Sequence, residues 1–111
     1  MKRMEKGEID RALGIVRRTG RMDWGGRKAK QAVERGNVDL VILAENSPAA
    51  QRTELEYYAK LSGVPLVEYP GTSWDLGEAC GRPHMVSALI IRDAGDSRLP
   101  EQLEEAAEGE S

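Results

Sequence analysis

Apolar side chains at Ile9, Leu13 and Val16, with polar residues between them, predict an amphipathic helix over 5–18 that ends near Gly20. Arg21–Trp24 reads as a short strand. Gly25-Gly26 breaks it, and Ala29, Ala32 and Val33 then mark a second helical stripe over 27–35, closed by Gly36. Residues 38–44 are almost continuously apolar and rich in Val, Ile and Leu, the pattern of a strand covered on both faces. Ser47 as an N-cap, with Pro48 at the first helical position, opens a third helix whose buried side is Leu55, Tyr58 and Leu61 and which ends at Gly63. A further strand is expected over 64–69, with Pro65 tolerated near its start. Thr72 and Asp75 stand three apart in a capping-box pattern, starting a short helix through Ala79. Gly81, Arg82 and Pro83 form a loop, 86–91 is the last strand, and Leu99, Leu103 and Ala106 indicate a terminal helix.

Helices and short buried strands alternate, so the fold class is α/β, a three-layer α/β/α sandwich around a central four-stranded mixed sheet. With 111 residues the chain reads as one domain over 1–100, followed by an acidic C-terminal tail over 101–111 that is partly helical or disordered. One cysteine forms no internal disulfide, and the first residues lack the apolar stretch of a secretory signal, which points to a reducing cytoplasm. No apolar run approaches the roughly 18 residues that a membrane helix needs.

Charge changes the picture more than its total of −3 implies. Glu101, Glu104, Glu105, Glu108 and Glu110 are five of the 19 acids and lie in a tail without a base, so residues 1–100 carry 16 bases against 14 acids. Within 17–35, seven bases face two acids, Asp23 and Glu34. Such a local excess attracts a polyanion, although a solvated helix face has the same composition.

Catalytic readings find little support. Gly25-Gly26-Arg27-Lys28 offers backbone N–H groups at a helix start but lacks the residues of a Walker or dinucleotide fingerprint. Cys80 and His84 are close in sequence, yet no third group is evident to orient the imidazole, and a lone Cys near a helix end is usually a packing residue. One His and one Cys cannot supply a structural zinc set, so no metal and no cofactor is expected. The acid pairs Glu54/Glu56 and Asp75/Glu78 read as helix-surface or capping carboxylates.

Three junctions remain: 25–28, 45–48 and 81–86. In a sandwich of this type they can converge at one end of the sheet, offering helix-start N–H donors, cations, an amide and a flat imidazole. Splayed RNA bases are read by such edge hydrogen bonds and stacking. Taken singly, Asn46 is equally a turn residue, His84 a surface or packing histidine, and Gly25 a turn glycine.

The stretches TGRMDWGGRKAKQAVERG, VDLVILAENSP, ELEYYAKLSGVPLVEYPGTSWDLGEACGRPH and VSALIIRDAGDSR make the chain over 9–99 resemble the L-thirty-e family of large-subunit ribosomal proteins of archaea and eukaryotes. The resemblance implies a non-enzymatic, rRNA-binding constituent of the cytoplasmic ribosome that grips a kink-turn, a sharply bent RNA with tandem sheared G·A pairs and an extruded base. Neighbouring ribosomal proteins are implied partners, and the free protein is expected to be a monomer. Carried over residue by residue, Gly25 and Gly26 let backbone approach RNA, and Arg27, Lys28 and Gln31 reach phosphates and the G·A pairs. Asn46, beside Glu45, faces a base edge, and Arg82, His84, Met85 and Val86 pack on the looped-out base. His84 stands where some eukaryotic relatives carry Phe and offers a smaller stacking surface. Rival readings are a kink-turn binder of a guide or regulatory RNA, a small phosphometabolite enzyme using Cys80, and an interaction module acting through the acidic helix.

Overall fold

The computed structural model describes residues 2–82 and 84–101. Its elements are β1 (Lys2–Arg3), α1 (Lys6–Thr19), β2 (Arg21–Trp24), α2 (Gly26–Arg35), β3 (Leu40–Ala44), α3 (Ala49–Ser62), β4 (Leu66–Tyr69), α4 (Ser73–Ala79) and β5 (Ala88–Asp93). The sheet order is β1-β4-β3-β5-β2. β1, β4 and β3 run parallel, and β5 is antiparallel to both β3 and β2. The four strands expected from the sequence form a mixed sheet, and the two-residue β1 extends it along β4 by pairing Lys2 with Val67 and Arg3 with Glu68.

Period-two alternation explains why β3 is apolar throughout and fully buried. Leu40, Ile42 and Ala44 point to one face, with Val67 and Tyr69 of β4 and Leu89 and Ile91 of β5, and pack with Ile9, Leu13 and Val16 of α1 and Leu76 of α4. Val41 and Leu43 point to the other face, with Leu66, Ala88 and Ile90, and pack with Ala29, Ala32 and Val33 of α2 and Leu55 and Ala59 of α3. Each fully buried aliphatic side chain contributes about 1.5–3 kcal/mol. A strand exposing either face would forfeit that contribution for each side chain on it, so the residue pattern of β3 demands three layers.

Two local details of α3 differ from expectation: Leu61, expected on its buried side, is exposed, and the cap is not the expected one. Ser47 does not cap α3; Pro48 holds the N-cap position and the helix begins at Ala49. The Ser47 hydroxyl instead accepts a hydrogen bond from Arg52 at 3.3 Å, because that guanidinium folds back over the turn to reach the Ala44 carbonyl at 2.9 Å. α4 does begin with a reciprocal capping box: the Thr72 hydroxyl accepts from the Asp75 N–H at 3.2 Å and the Asp75 carboxylate accepts from the Thr72 N–H at 3.1 Å. A helical turn opens at 99–101, with Leu99 in the core. Leu103, Ala106 and the rest of the acidic tail lie outside the described residues.

Register fixes where the loops emerge. Trp24 pairs with Leu89, Leu43 with Ala88, and Ala44 with Tyr69. The C-terminal ends of β2, β3 and β4 and the start of β5 therefore share one end of the sheet, and the junctions 25–28, 45–48 and 81–86 lie there together.

Candidate nucleic-acid interface

β2 ends at Trp24, and Gly25 turns the chain into α2 with φ 116° and ψ 144°, a region that side chains on Cβ disfavour. Its N–H donates to the Ala88 carbonyl at 3.1 Å and its own carbonyl accepts from the Ala29 N–H at 2.9 Å, which ties the turn to β5 and starts the helix. A Cβ built at Gly25 meets nothing within 4 Å, so the backbone dictates glycine while the space above it stays open. At Gly26 a Cβ would run into the Gln51 amide, and Gln51 accepts from the Ser87 hydroxyl at 3.4 Å, joining α3 to the approach of β5.

Arg27, Lys28 and Gln31 are exposed on the opening turns of α2, whose first turn holds no acid to offset the positive end of the helix. Arg27 and Gln31 also line a groove of about 710 Å³ between α2 and α3, where Lys30 and Glu54 form a 2.7 Å ion pair. Lys28 is bound to Asp23 at 3.1 Å, and Arg92 reaches the other carboxylate oxygen of Asp23 at 3.4 Å. Burial pushes the Asp23 carboxyl upward, but hydrogen bonds from Lys28, the Trp24 N–H and Arg92 outweigh it and hold the group below its ordinary 3.8. An ion pair with Lys28 57% exposed contributes at most about 1 kcal/mol, so the ammonium is free to exchange Asp23 for a phosphate.

The second junction is braced from beneath. The Glu45 N–H donates to the Gly71 carbonyl at 3.0 Å, Arg52 holds the carbonyls of Ala44 and Glu45, and the Asn46 side-chain oxygen accepts from the Ser73 N–H at 2.8 Å. Asn46 is thus committed through its oxygen to the start of α4, while its NH₂ stays available on an exposed residue.

The third junction lies directly on α4. The Arg82 N–H donates to the Gly77 carbonyl at 2.8 Å, and a Cβ at Gly77 would overlap the His84 carbonyl oxygen, so this close approach requires glycine. The Arg82 guanidinium stacks 3.3 Å from the Trp24 ring centroid, and the His84 ring lies 6.5 Å from it at 56°. Lys28 Nζ is 6.0 Å from the same ring. Trp24 therefore carries groups from the first and third junctions at once. His84 and Met85 are exposed, and His84 and Arg82 line a cavity of about 220 Å³ with Trp74 and Glu78. Val86 differs from its neighbours: its side chain is 2% exposed in the core, and its N–H anchors the junction on the Ser73 carbonyl at 2.9 Å.

The structure thus brings the predicted residues to one end of the sheet, with Val86 turned inward. Sequence reasoning passed over Trp24, Trp74, Gly77 and Arg52. The exposed Trp74 follows a capping threonine and serine, which alone gives it a surface position; the role of Trp24 depends on Arg82, 58 residues away in sequence.

Catalytic chemistry finds no further support in the Cys80/His84 pair. Cys80 is buried, its thiol bonded to the Gly77 carbonyl at 3.5 Å, and burial pushes its pKa up against the weaker opposing pull of Arg82 and Arg17. A thiol held protonated is a poor nucleophile. Among the described residues no three His, Cys, Asp or Glu side chains gather as a metal site, and no helix is long and apolar enough to cross a membrane.

Residues 7–100 match the family model described as "Ribosomal protein L7Ae/L30e/S12e/Gadd45 family". A protein of Aeropyrum pernix named "Large ribosomal subunit protein eL30" is 43% identical over 98 residues, covering 88% of this chain and 98% of that one. The protein of the same name from Methanopyrus kandleri is 42% identical, covering 91% and 93%. A solved structure of a Bacillus halodurans protein, titled as having unknown function, superposes with a TM-score of 0.74 at 27% identity, covering 91% of this chain and 99% of that one. The Aeropyrum pernix and Methanopyrus kandleri relatives are named as ribosomal proteins and not as enzymes, and the chain belongs to the ribosomal protein L7Ae/L30e/S12e/Gadd45 family.

Proposed function

We propose that this protein is a constituent of the large ribosomal subunit in the cytoplasm and that it binds a kink-turn in ribosomal RNA through the end of the sandwich where 25–28, 45–48 and 81–86 meet. The observation that carries this reading is the joining of exposed His84 and stacked Arg82 around Trp24, beside open Gly25, in a protein whose relatives are named for the large subunit. Gly25 and Gly26 let the RNA backbone come close. Arg27, Lys28 and Gln31 meet phosphates and the sheared pairs, and the Asn46 NH₂, with Glu45 beside it, reads a base edge. The extruded base enters against His84 and Met85, with Val86 anchoring the loop from below. Phosphate contacts supply salt-dependent affinity, while edge contacts and fit to the bent shape supply selectivity. Neighbouring ribosomal proteins are its further partners, and the free chain is a monomer.

Gel-shift titration of a kink-turn RNA tests the site. His84→Ala weakens binding while the thermal melt stays at the wild-type midpoint; unchanged affinity removes His84 from the interface. Sedimentation of a tagged chain with large subunits tests the assignment to the ribosome, and its exclusion from them overturns that assignment.

A further inference from the structure

Beside the loop surface, along the side of β2, lies a second groove of about 490 Å³ whose lining includes Arg17, Arg21, Arg82 and Arg92. Among the described residues Asp23 is the one acid that lines it, and that carboxylate is already held by Lys28 and Arg92. Among the described residues neither Arg17 nor Arg21 has a hydrogen-bonding or ion-pair partner, and both are exposed. The Arg17 guanidinium lies over Gly81, where a Cβ would stand 2.5 Å from Cζ. Among the described residues, guanidinium groups from α1, β2, β5 and the 81–86 junction thus converge on a groove whose one lining acid, Asp23, is paired with Arg92 and Lys28 and leaves Arg17 and Arg21 without a counter-anion.

β2 is the edge strand next to β5, and its four residues span about 10 Å at roughly 3.3 Å per residue. Arg21 stands at its far end and Trp24 at the loop end. Arg82 lines both this groove and the smaller cavity with His84, so the two surfaces are continuous. Planar guanidinium forks suit phosphate oxygens in a way that point charges do not.

From this geometry we infer that the arginine groove is a phosphodiester track that extends the RNA footprint from the kink onto the backbone of a flanking stem, with Arg17 and Arg21 as contacts. The inference rests on the RNA-binding reading above and adds to it a second contact region with a separate charge signature. RNA is favoured over an acidic polypeptide because the groove opens into the surface assigned to the kink, and a stem leaving that surface passes along β2. Arg82 and Arg92 serve both regions or hold Asp23, so the discriminating residues are Arg17 and Arg21.

The test is fluorescence-anisotropy titration over a series of salt concentrations, using a kink-turn RNA with long flanking stems and the same kink with its stems trimmed. Wild type, the double variant Arg17→Gln/Arg21→Gln and His84→Ala are compared, with circular-dichroism melts confirming that each is folded. On the long-stem RNA the double variant lowers the slope of log affinity against log salt by roughly two, about one for each lost phosphate contact, and on the trimmed RNA it matches wild type. His84→Ala weakens both RNAs alike. Equal slopes for wild type and double variant on the long-stem RNA, including the case in which the groove takes an acidic polypeptide instead, overturn the inference and leave the loop site standing. A wild-type protein that binds a straight duplex as tightly as the kink overturns the kink-turn reading and this inference with it.

Discussion

Replacing Gly77 by alanine separates the demands of helix α4 from those of the loop resting on it. In an open helical position alanine is favoured over glycine by about 0.8–1 kcal/mol. At Gly77, however, the new methyl group would overlap the His84 carbonyl oxygen, which is backbone and cannot swing away as a flexible side chain would. Forcing extra volume into such a contact costs about 1–3 kcal/mol. Because the obstruction is backbone, the upper part of that range applies, about 2–3 kcal/mol, and the net effect is a loss of roughly 1–2 kcal/mol, seen as a fall in Tm of roughly 4–10 °C for a domain of this size. Gly14 is the internal control: it lies inside α1, a Cβ there meets nothing within 4 Å, and Gly14→Ala gains about 1 kcal/mol. Urea unfolding followed by the fluorescence of Trp24 and Trp74 measures both. Because the strain is relieved by lifting 81–86 off α4, the same variant loses about tenfold in affinity for a kink-turn RNA, equivalent to ~1.4 kcal/mol. A Gly77→Ala protein as stable as Gly14→Ala, with wild-type RNA affinity, would refute the claim that close approach to this glycine sets the loop.

Gly25→Ala places a Cβ on backbone at φ 116° and destabilises the fold by about 1–3 kcal/mol by urea titration, although the site is sterically open. Asn46→Ala leaves the buried Ser73 N–H without its acceptor and costs about 1–3 kcal/mol, whereas Asn46→Asp keeps an acceptor at the start of α4. The aspartate variant therefore melts near wild type while binding RNA more weakly, since it lacks the NH₂ donor. Asp23 ionises below its ordinary 3.8, so the stability it contributes is complete above that value and declines as pH falls through its lower folded-state pKa. Asp23→Asn removes that contribution, and its melting temperature falls less steeply than wild type below about pH 4; parallel acid limbs would show that the pairs with Lys28 and Arg92 are energetically idle.

Much of the fold is written in local patterns. The continuous apolar run of β3 could only be a doubly covered strand, and Ala29, Ala32 and Val33 could only be one stripe of a helix. β1 was not legible, because Lys2 and Arg3 carry no period and become a strand only through pairing with β4. Ser47 looked like a cap because local rules see the hydroxyl and not Arg52, which arrives five residues later to take it. The strands begin about two residues after Val38, Val64 and Val86, where the sequence pattern starts them, because each of these apolar residues packs beside the sheet before pairing begins. At the candidate site the convergence of loops followed from alternation of helices and strands, but its organisation did not. Trp24 looked like an ordinary strand residue, and only the tertiary fold sets Arg82 and His84 upon it. Val86 sits at a loop boundary in sequence yet belongs to the core in space.

The central claim, that the clustered end of the sandwich holds RNA in a sharply bent form, is tested most directly by energy transfer between dyes on the two stem ends of a kink-turn RNA titrated with wild-type protein. The account predicts a saturable rise in transfer as the stems are drawn together, and no such rise when the G·A pairs are replaced by Watson–Crick pairs. Equal binding to both RNAs with no change in transfer would contradict it.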